Sequence, residues 1–214
     1  MRMPYSSLKR IGVHCFNILQ DAYLAVLARG MKRDLARRDA QRGDGNFRWL
    51  TPEEAAVAEA LARIIVPSDD ETPGIDEVGV LGPPAMETLD KLIASSSDRQ
   101  HLYSRGLLSF DTWALNLHGC KFAELPKEDQ TALFKTAQQM DEDWTGGATP
   151  VTKACNRLRV AAQAGRGALF ASQLYSQIRN DCLQVFYTSR VSWVWLEYDG
   201  PPMDKGYPSL VESR

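Results

Sequence analysis

The chain has 214 residues, of which 44% are hydrophobic and 24% charged, and its formal net charge is −2. That suffices for one domain with its own core and excludes the strong basic field that drives non-specific nucleic-acid binding. Four cysteines, Cys15, Cys120, Cys155 and Cys182, are too few for a disulfide scaffold and too widely spaced for a CxxC metal or redox motif.

In the first segment Ile11, Cys15, Ile18, Ala22 and Ala25 follow helical spacing, with Phe16 and Leu24 beside them. His14, Asn17, Gln20 and Asp21 interrupt residues 11–27, so the stretch reads neither as a membrane span nor as the apolar region of a secretory signal. The spacing predicts a helix with one apolar stripe, suited to packing on the domain, on a partner or on a membrane surface. A basic run follows: Arg29, Lys32, Arg33, Arg37, Arg38 and Arg42, broken by Asp34 and Asp39. It reads as a solvated helix face. Arg37-Arg38 is a twin arginine, but the polar residues 41–46 follow it where an export signal has an apolar run. Gly43 and Gly45 make that stretch a linker. Residues 1–46 are therefore expected to form an N-terminal extension.

The domain is expected over residues 47–186. Thr51-Pro52-Glu53-Glu54 is a helix start: Thr51 caps, Pro52 has the φ of the first turn, and Glu54 is the capping-box partner. Ala58, Leu61, Ala62 and Ile65 share one face, and Pro67 ends the helix. Residues 68–74 form an acidic, turn-rich loop. Its carboxylates, Asp69, Asp70 and Glu71, lack the spacing of an EF-hand, and turn formation explains them more simply. A helix from Pro83-Pro84 carries Met86, Leu89, Leu92 and Ile93. The clearest helix spans 98–117, with Tyr103, Leu107, Phe110, Ala114 and Leu117 inward and Gly119 as its C-cap. Pro126 opens the next, with Leu133, Phe134, Ala137 and Met140 inward. Helical pattern resumes at Thr152 and breaks at Gly165-Arg166-Gly167. A last helix over 169–186 carries Phe170, Leu174, Ile178 and Val185 on one face. Only residues 191–195 have the look of a strand, so the fold class is all-α, an irregular helical domain with an irregular C-terminal tail.

No catalytic constellation assembles. His14, His101 and His118 have no ligand spacing, and the chain has no GxSxG, no GxGxxG after a strand, no P-loop and no HExxH. The tail over 187–214 is different in kind. Tyr187, Trp193, Trp195, Tyr198 and Tyr207 sit among Gly200, Pro201, Pro202, Gly206 and Pro208. Rigid aromatics on a backbone of low entropy suit a partner interface, and equally a segment folded over its own helices. The residues expected at a partner interface are Tyr187, Trp193, Trp195, Tyr198, Pro201, Pro202, Tyr207 and Pro208.

Phe47-Arg-Trp-Leu-Thr-Pro-Glu-Glu54, then Ile64-Ile65-Val66-Pro67, the Pro73-Gly74 loop, residues 122–130 and the closing Tyr207-Pro208 occur in order. Over about residues 47–208 this set resembles the gluconate 2-dehydrogenase subunit 3 family. The resemblance implies a non-catalytic small subunit without a cofactor of its own. Its partner would be a large FAD-dependent flavoprotein of the glucose-methanol-choline type, oxidising sugars, sugar acids or polyols. Many such complexes add a multihaem cytochrome c, and many small subunits carry a twin-arginine export signal. The present sequence departs there, with a helical extension and no readable signal. The resemblance favours a periplasmic or membrane-associated complex, and the departure a cytoplasmic one. In an exported complex Cys155, beside Lys153 and Arg157, is a candidate for an intersubunit disulfide. The rival readings are a stand-alone metal-dependent helical enzyme built on Asp69 and Asp70, and a helical regulatory module binding nucleic acid through the basic run.

Overall fold

A computed structural model describes Ala36, Arg38, Asp39 and residues 47–145 and 168–198. Among the described residues, where Ala36, Arg38 and Asp39 are also helical, six bounded α-helices and two 3-10 turns follow in order: α1 (Pro52–Ile65), η1 (Ile75–Val80), α2 (Ala85–Ala94), α3 (Ser97–His118), η2 (Phe122–Glu124), α4 (Lys127–Thr145), α5 (Ala168–Tyr187) and α6 (Arg190–Trp195). No strand occurs among the described residues, and the all-α expectation holds. The pattern at 152–167 and the expected helix over 11–27 lie outside them.

The local chemistry of the helix ends matches the sequence closely. Thr51 Oγ1 accepts from the Glu54 N–H at 3.2 Å, and Glu54 Oε2 accepts from the Thr51 N–H at 3.0 Å. Both residues are buried, so each bond satisfies a group that water cannot reach. Ser96 caps α3, and Gly119 closes it in the left-handed conformation at φ 78°. Leu133, Phe134, Ala137 and Met140 of α4 are buried as expected. Leu117, expected on the inner face of α3, is 52% exposed instead. It lies in the last turn, beyond the reach of the helices that cover Tyr103 to Ala114.

Among the described elements the α3–α5 pair is the most extensive contact, and α1, α2 and α4 pack around α5. The two long helices approach closely because Gly106 has no side chain. A Cβ there would stand 2.4 Å from Leu174 Cβ, inside any allowed contact. Phe110, Trp113 and Phe122 fill the space toward α1 and η2, with the Phe110 and Phe122 ring centres 5.1 Å apart. Phe134 and Tyr175 pack at the same separation between α4 and α5.

Three aspartates sit on the apolar stripes of their helices, and each is neutralised from another part of the chain. Asp90 of α2 is 2% exposed. Its carboxylate accepts from three successive N–H groups, Arg48 at 2.6 Å, Trp49 at 3.0 Å and Leu50 at 2.8 Å. That bond set fixes the segment entering α1, and with it Phe47 and Trp49 pack on the core. Asp181 of α5 accepts from the Tyr103 hydroxyl and from Gln177, each at 2.9 Å, with Arg99 at 3.3 Å. Burial, with the Asp181 charge beside it, holds the Tyr103 hydroxyl well above its usual pKa, so it remains a donor. Asp111 of α3 is paired with Arg38 and accepts from the Phe122 N–H at 3.2 Å.

Replacing Gly106 by Ala tests the close approach. Alanine is the better helix former by about 1 kcal/mol, which would stabilise an exposed site. Here the overlap with Leu174 dominates, and a net loss of about 1–3 kcal/mol is expected by urea denaturation. A gain in stability would show that α3 and α5 have room to separate.

Candidate functional site

The acidic loop of residues 68–74 is a turn. Asp69 Oδ1 accepts from the Glu71 N–H at 2.9 Å and from the Thr72 N–H at 2.7 Å. Bonding to Thr72 and Glu71 holds the Asp69 carboxyl below its usual range. Gly74 is needed where the loop returns, since a Cβ would lie 2.6 Å from the Ser68 backbone nitrogen. The loop then joins α1 through the Ile75 N–H and the Val66 carbonyl, at 3.0 Å. Among the described residues no three His, Cys, Asp or Glu side chains are grouped to hold a metal.

Two described cysteines are free, Cys120 half-buried and Cys182 buried. Burial pushes the Cys182 thiol up to about 12, so it is not a nucleophile at neutral pH. His118 lies 3.7 Å from Asp129 at the surface, and His101 is exposed. A cleft of about 260 Å³ lies beside η1, lined by Phe47, Glu59, Ala62, Ile75, Asp76, Gly79, Pro84, Ala85 and Met86. Its two carboxylates already hold Arg63: Glu59 at 2.6 Å and Asp76 at 2.8 Å.

The basic run contains a residue that the solvated-face reading missed. Arg38 is buried and its guanidinium meets Asp111 at 2.5 Å. Burial pushes the Asp111 carboxyl above its usual range, and Arg38 pulls it partly back. Asp111 falls four residues after Leu107 and three before Ala114. A carboxylate at that register of an apolar stripe was the available signal, because it demands a counter-charge.

The tail is more ordered than its composition suggested. Residues 190–195 are helical, which corrects both the strand-like reading of that stretch and the expectation of an irregular tail there. Ser189 is the reason: its hydroxyl accepts from the Ser192 N–H at 3.2 Å and caps a new helix after α5 ends. Trp193 is half-buried, and its indole N–H donates to the Tyr187 carbonyl at 2.8 Å. The Trp195 indole donates to the Glu71 carbonyl at 3.1 Å, 124 residues away, and pins α6 to the acidic loop. Glu197 closes α6 at φ 53°, an unfavourable conformation for a residue with a Cβ that costs about 1–2 kcal/mol. The Tyr198 N–H then reaches the Trp193 carbonyl at 2.8 Å, and the two rings meet edge to face at 6.0 Å.

What this arrangement leaves outside is apolar. Tyr187 is 51% exposed, Val194 68%, Trp195 41%, Leu196 49% and Tyr198 46%. Helix α6 packs on η1, whose end adds Val80 at 74% and Leu81 at 48%. Of the residues expected at a partner interface, Tyr187, Trp193, Trp195 and Tyr198 lie on and beside α6. Pro201, Pro202, Tyr207 and Pro208 lie outside the described residues, as does Cys155. Val80 and Leu81 were not among the residues expected there. Their signal was an apolar pair set between Gly79 and Gly82, ahead of Pro83-Pro84, with no neighbour at helical spacing to cover it.

The family described as Gluconate 2-dehydrogenase subunit 3 matches residues 52–200. No curated protein and no solved structure gives a significant match. The match begins at the first residue of α1 and extends past α6.

The Arg38–Asp111 pair yields a pH-dependent expectation. A carboxyl whose folded pKa is raised contributes stability that is fully present below its unfolded value and is lost as pH rises through the folded one. Arg38→Met removes the counter-charge and moves the folded value further up. The variant should lose about 3–5 kcal/mol at neutral pH, where the stranded carboxylate is charged. The loss should shrink at acid pH, where the raised Asp111 carboxyl takes up its proton in the folded state. Urea denaturation of both chains at the two pH values measures it. Equal losses at both would show that the charge on Asp111 is not what Arg38 offsets.

Proposed function

The chain belongs to the gluconate 2-dehydrogenase subunit 3 family, and on that premise we propose that it is a non-catalytic small subunit that folds and stabilises a larger, FAD-dependent dehydrogenase of the glucose-methanol-choline type. The family match over residues 52–200 carries this reading. The chemistry of the described residues supports it. The buried aspartates among the described residues are bound within the chain: Asp90 to three N–H groups, Asp111 to Arg38, Asp181 to Tyr103 and Gln177. They act as struts between helices. A sugar, sugar acid or polyol is then oxidised by the partner, with the flavin held there.

In this reading Tyr187, Trp193, Trp195 and Tyr198 form the contact with the dehydrogenase. The indole N–H groups are already satisfied within the chain, so a partner covers the rings without having to supply acceptors for them. Assembly removes from water an apolar face that would otherwise promote aggregation. A multihaem cytochrome c as a third component, and a periplasmic or membrane-associated setting, belong to the same proposal. Among the described residues no helix is long and apolar enough to cross a membrane. The nucleic-acid alternative is weakened because Arg38 leaves the basic run to pair with Asp111.

The test is purification of the tagged full-length chain from its native host and, separately, from a host lacking the partner. The first preparation should bring down a yellow flavoprotein with dehydrogenase activity; the second should be colourless and inactive. Stoichiometric flavin or sugar oxidation in the chain alone would overturn the proposal.

A further inference from the structure

The face made by α6 and η1 has a chemical character beyond its hydrophobicity. From Ile64 to Asp90 the chain contains no Lys or Arg. In that stretch Asp69, Asp70, Glu71, Asp76 and Glu77 are all exposed. The Trp195–Glu71 hydrogen bond brings the acidic loop against α6, and Glu197 adds a carboxylate at the other end of that helix. On the basic side, Arg63 is held by Glu59 and Asp76, which leaves Arg190 at the start of α6 as the exposed cation of residues 187–198. The chain as a whole is nearly neutral, so this is a local concentration of charge.

We propose that the α6–η1 face docks on an apolar patch rimmed by lysine and arginine on the dehydrogenase subunit, with Trp195, Val80 and Leu81 at the centre and Asp70, Glu71 and Glu197 at the rim. This rests on the subunit reading and adds the chemistry of the partner surface. An exposed aliphatic and aromatic centre loses water on docking and sets the dissociation rate. A one-signed rim accelerates encounter with an oppositely charged surface and rejects acidic ones. A second copy of this chain is disfavoured by the same rim, because symmetric pairing would set Asp70, Glu71 and Glu197 against their own kind.

The experiment uses the flavoprotein that co-purifies with the tagged chain from its native host, and measures its retention across a salt series. Three forms of the full chain are compared with the wild type: Asp70→Lys with Glu71→Lys and Glu197→Lys, Trp195→Ala, and Glu128→Lys on α4 as a charge control. Circular dichroism checks that each is folded. The triple reversal should weaken binding about tenfold at low salt and flatten its salt dependence. Trp195→Ala should weaken it about thirtyfold with the salt dependence unchanged. Glu128→Lys should bind as the wild type does. Binding by the triple reversal equal to wild type, with the flavoprotein still retained, overturns the rim while leaving the subunit reading intact. A wild-type chain that dimerises through this face, shown by light scattering and abolished by Trp195→Ala, makes the occupant a second copy and overturns the proposal. If the wild type retains no flavoprotein, the subunit reading fails and this inference falls with it.

Discussion

A carboxylate on the apolar stripe of a helix has to be neutralised by something other than water, and this fold is arranged around three of them. Asp90 gathers the N–H groups of residues 48–50, Asp111 gathers Arg38 and the Phe122 N–H, and Asp181 gathers Tyr103, Arg99 and Gln177. Each ties a helix to a segment tens of residues away or to the facing helix. Such pairs are a poor source of net stability, because desolvation offsets most of the attraction. Their effect is on register. An apolar stripe can slide or rotate at small cost, whereas a displaced carboxylate is left charged and dry. Gly106 completes the arrangement by letting α3 and α5 approach closely enough for Tyr103 to reach Asp181.

The proposed function rests on where that order ends. The core closes at Phe186, and the chain then turns at Ser189 to lay a short helix across η1. This helix buries almost nothing of its own apart from Ser192. Its tryptophans spend their polar atoms on the chain and leave ring surface outside, and Glu197 stands in a strained conformation that orients Tyr198. An isolated domain gains little from such a device. A subunit gains a preorganised apolar face, for which little ordering remains to be done on binding.

Much of the architecture was legible in the sequence because helix ends announce themselves chemically. Thr51 with Glu54, Gly119, Pro67 and the apolar spacing of α3, α4 and α5 all determine local structure through nearest neighbours. What stayed hidden depends on distant partners. Nothing in the basic run singles out Arg38 among its neighbours, since its burial is decided by Asp111, 73 residues on. Residues 190–195 are rich in valine and tryptophan, which favour strands; the Ser189 cap decides for helix. Val80 and Leu81 join the candidate face only through the packing of α6 on η1, a contact that no local pattern encodes. The aromatic density of the tail singled out Trp193, Trp195 and Tyr198, and the fold sets their helix on η1.

The central claim is that this chain holds a dehydrogenase subunit through the face built by α6 and η1. Hydrogen–deuterium exchange of the full-length chain, free and in the complex isolated from its host, tests it most directly. The account predicts slowed exchange on assembly over residues 69–81 and 187–198, with α4 unchanged. Protection confined to α4, or to the cleft lined by Glu59 and Met86, would contradict it.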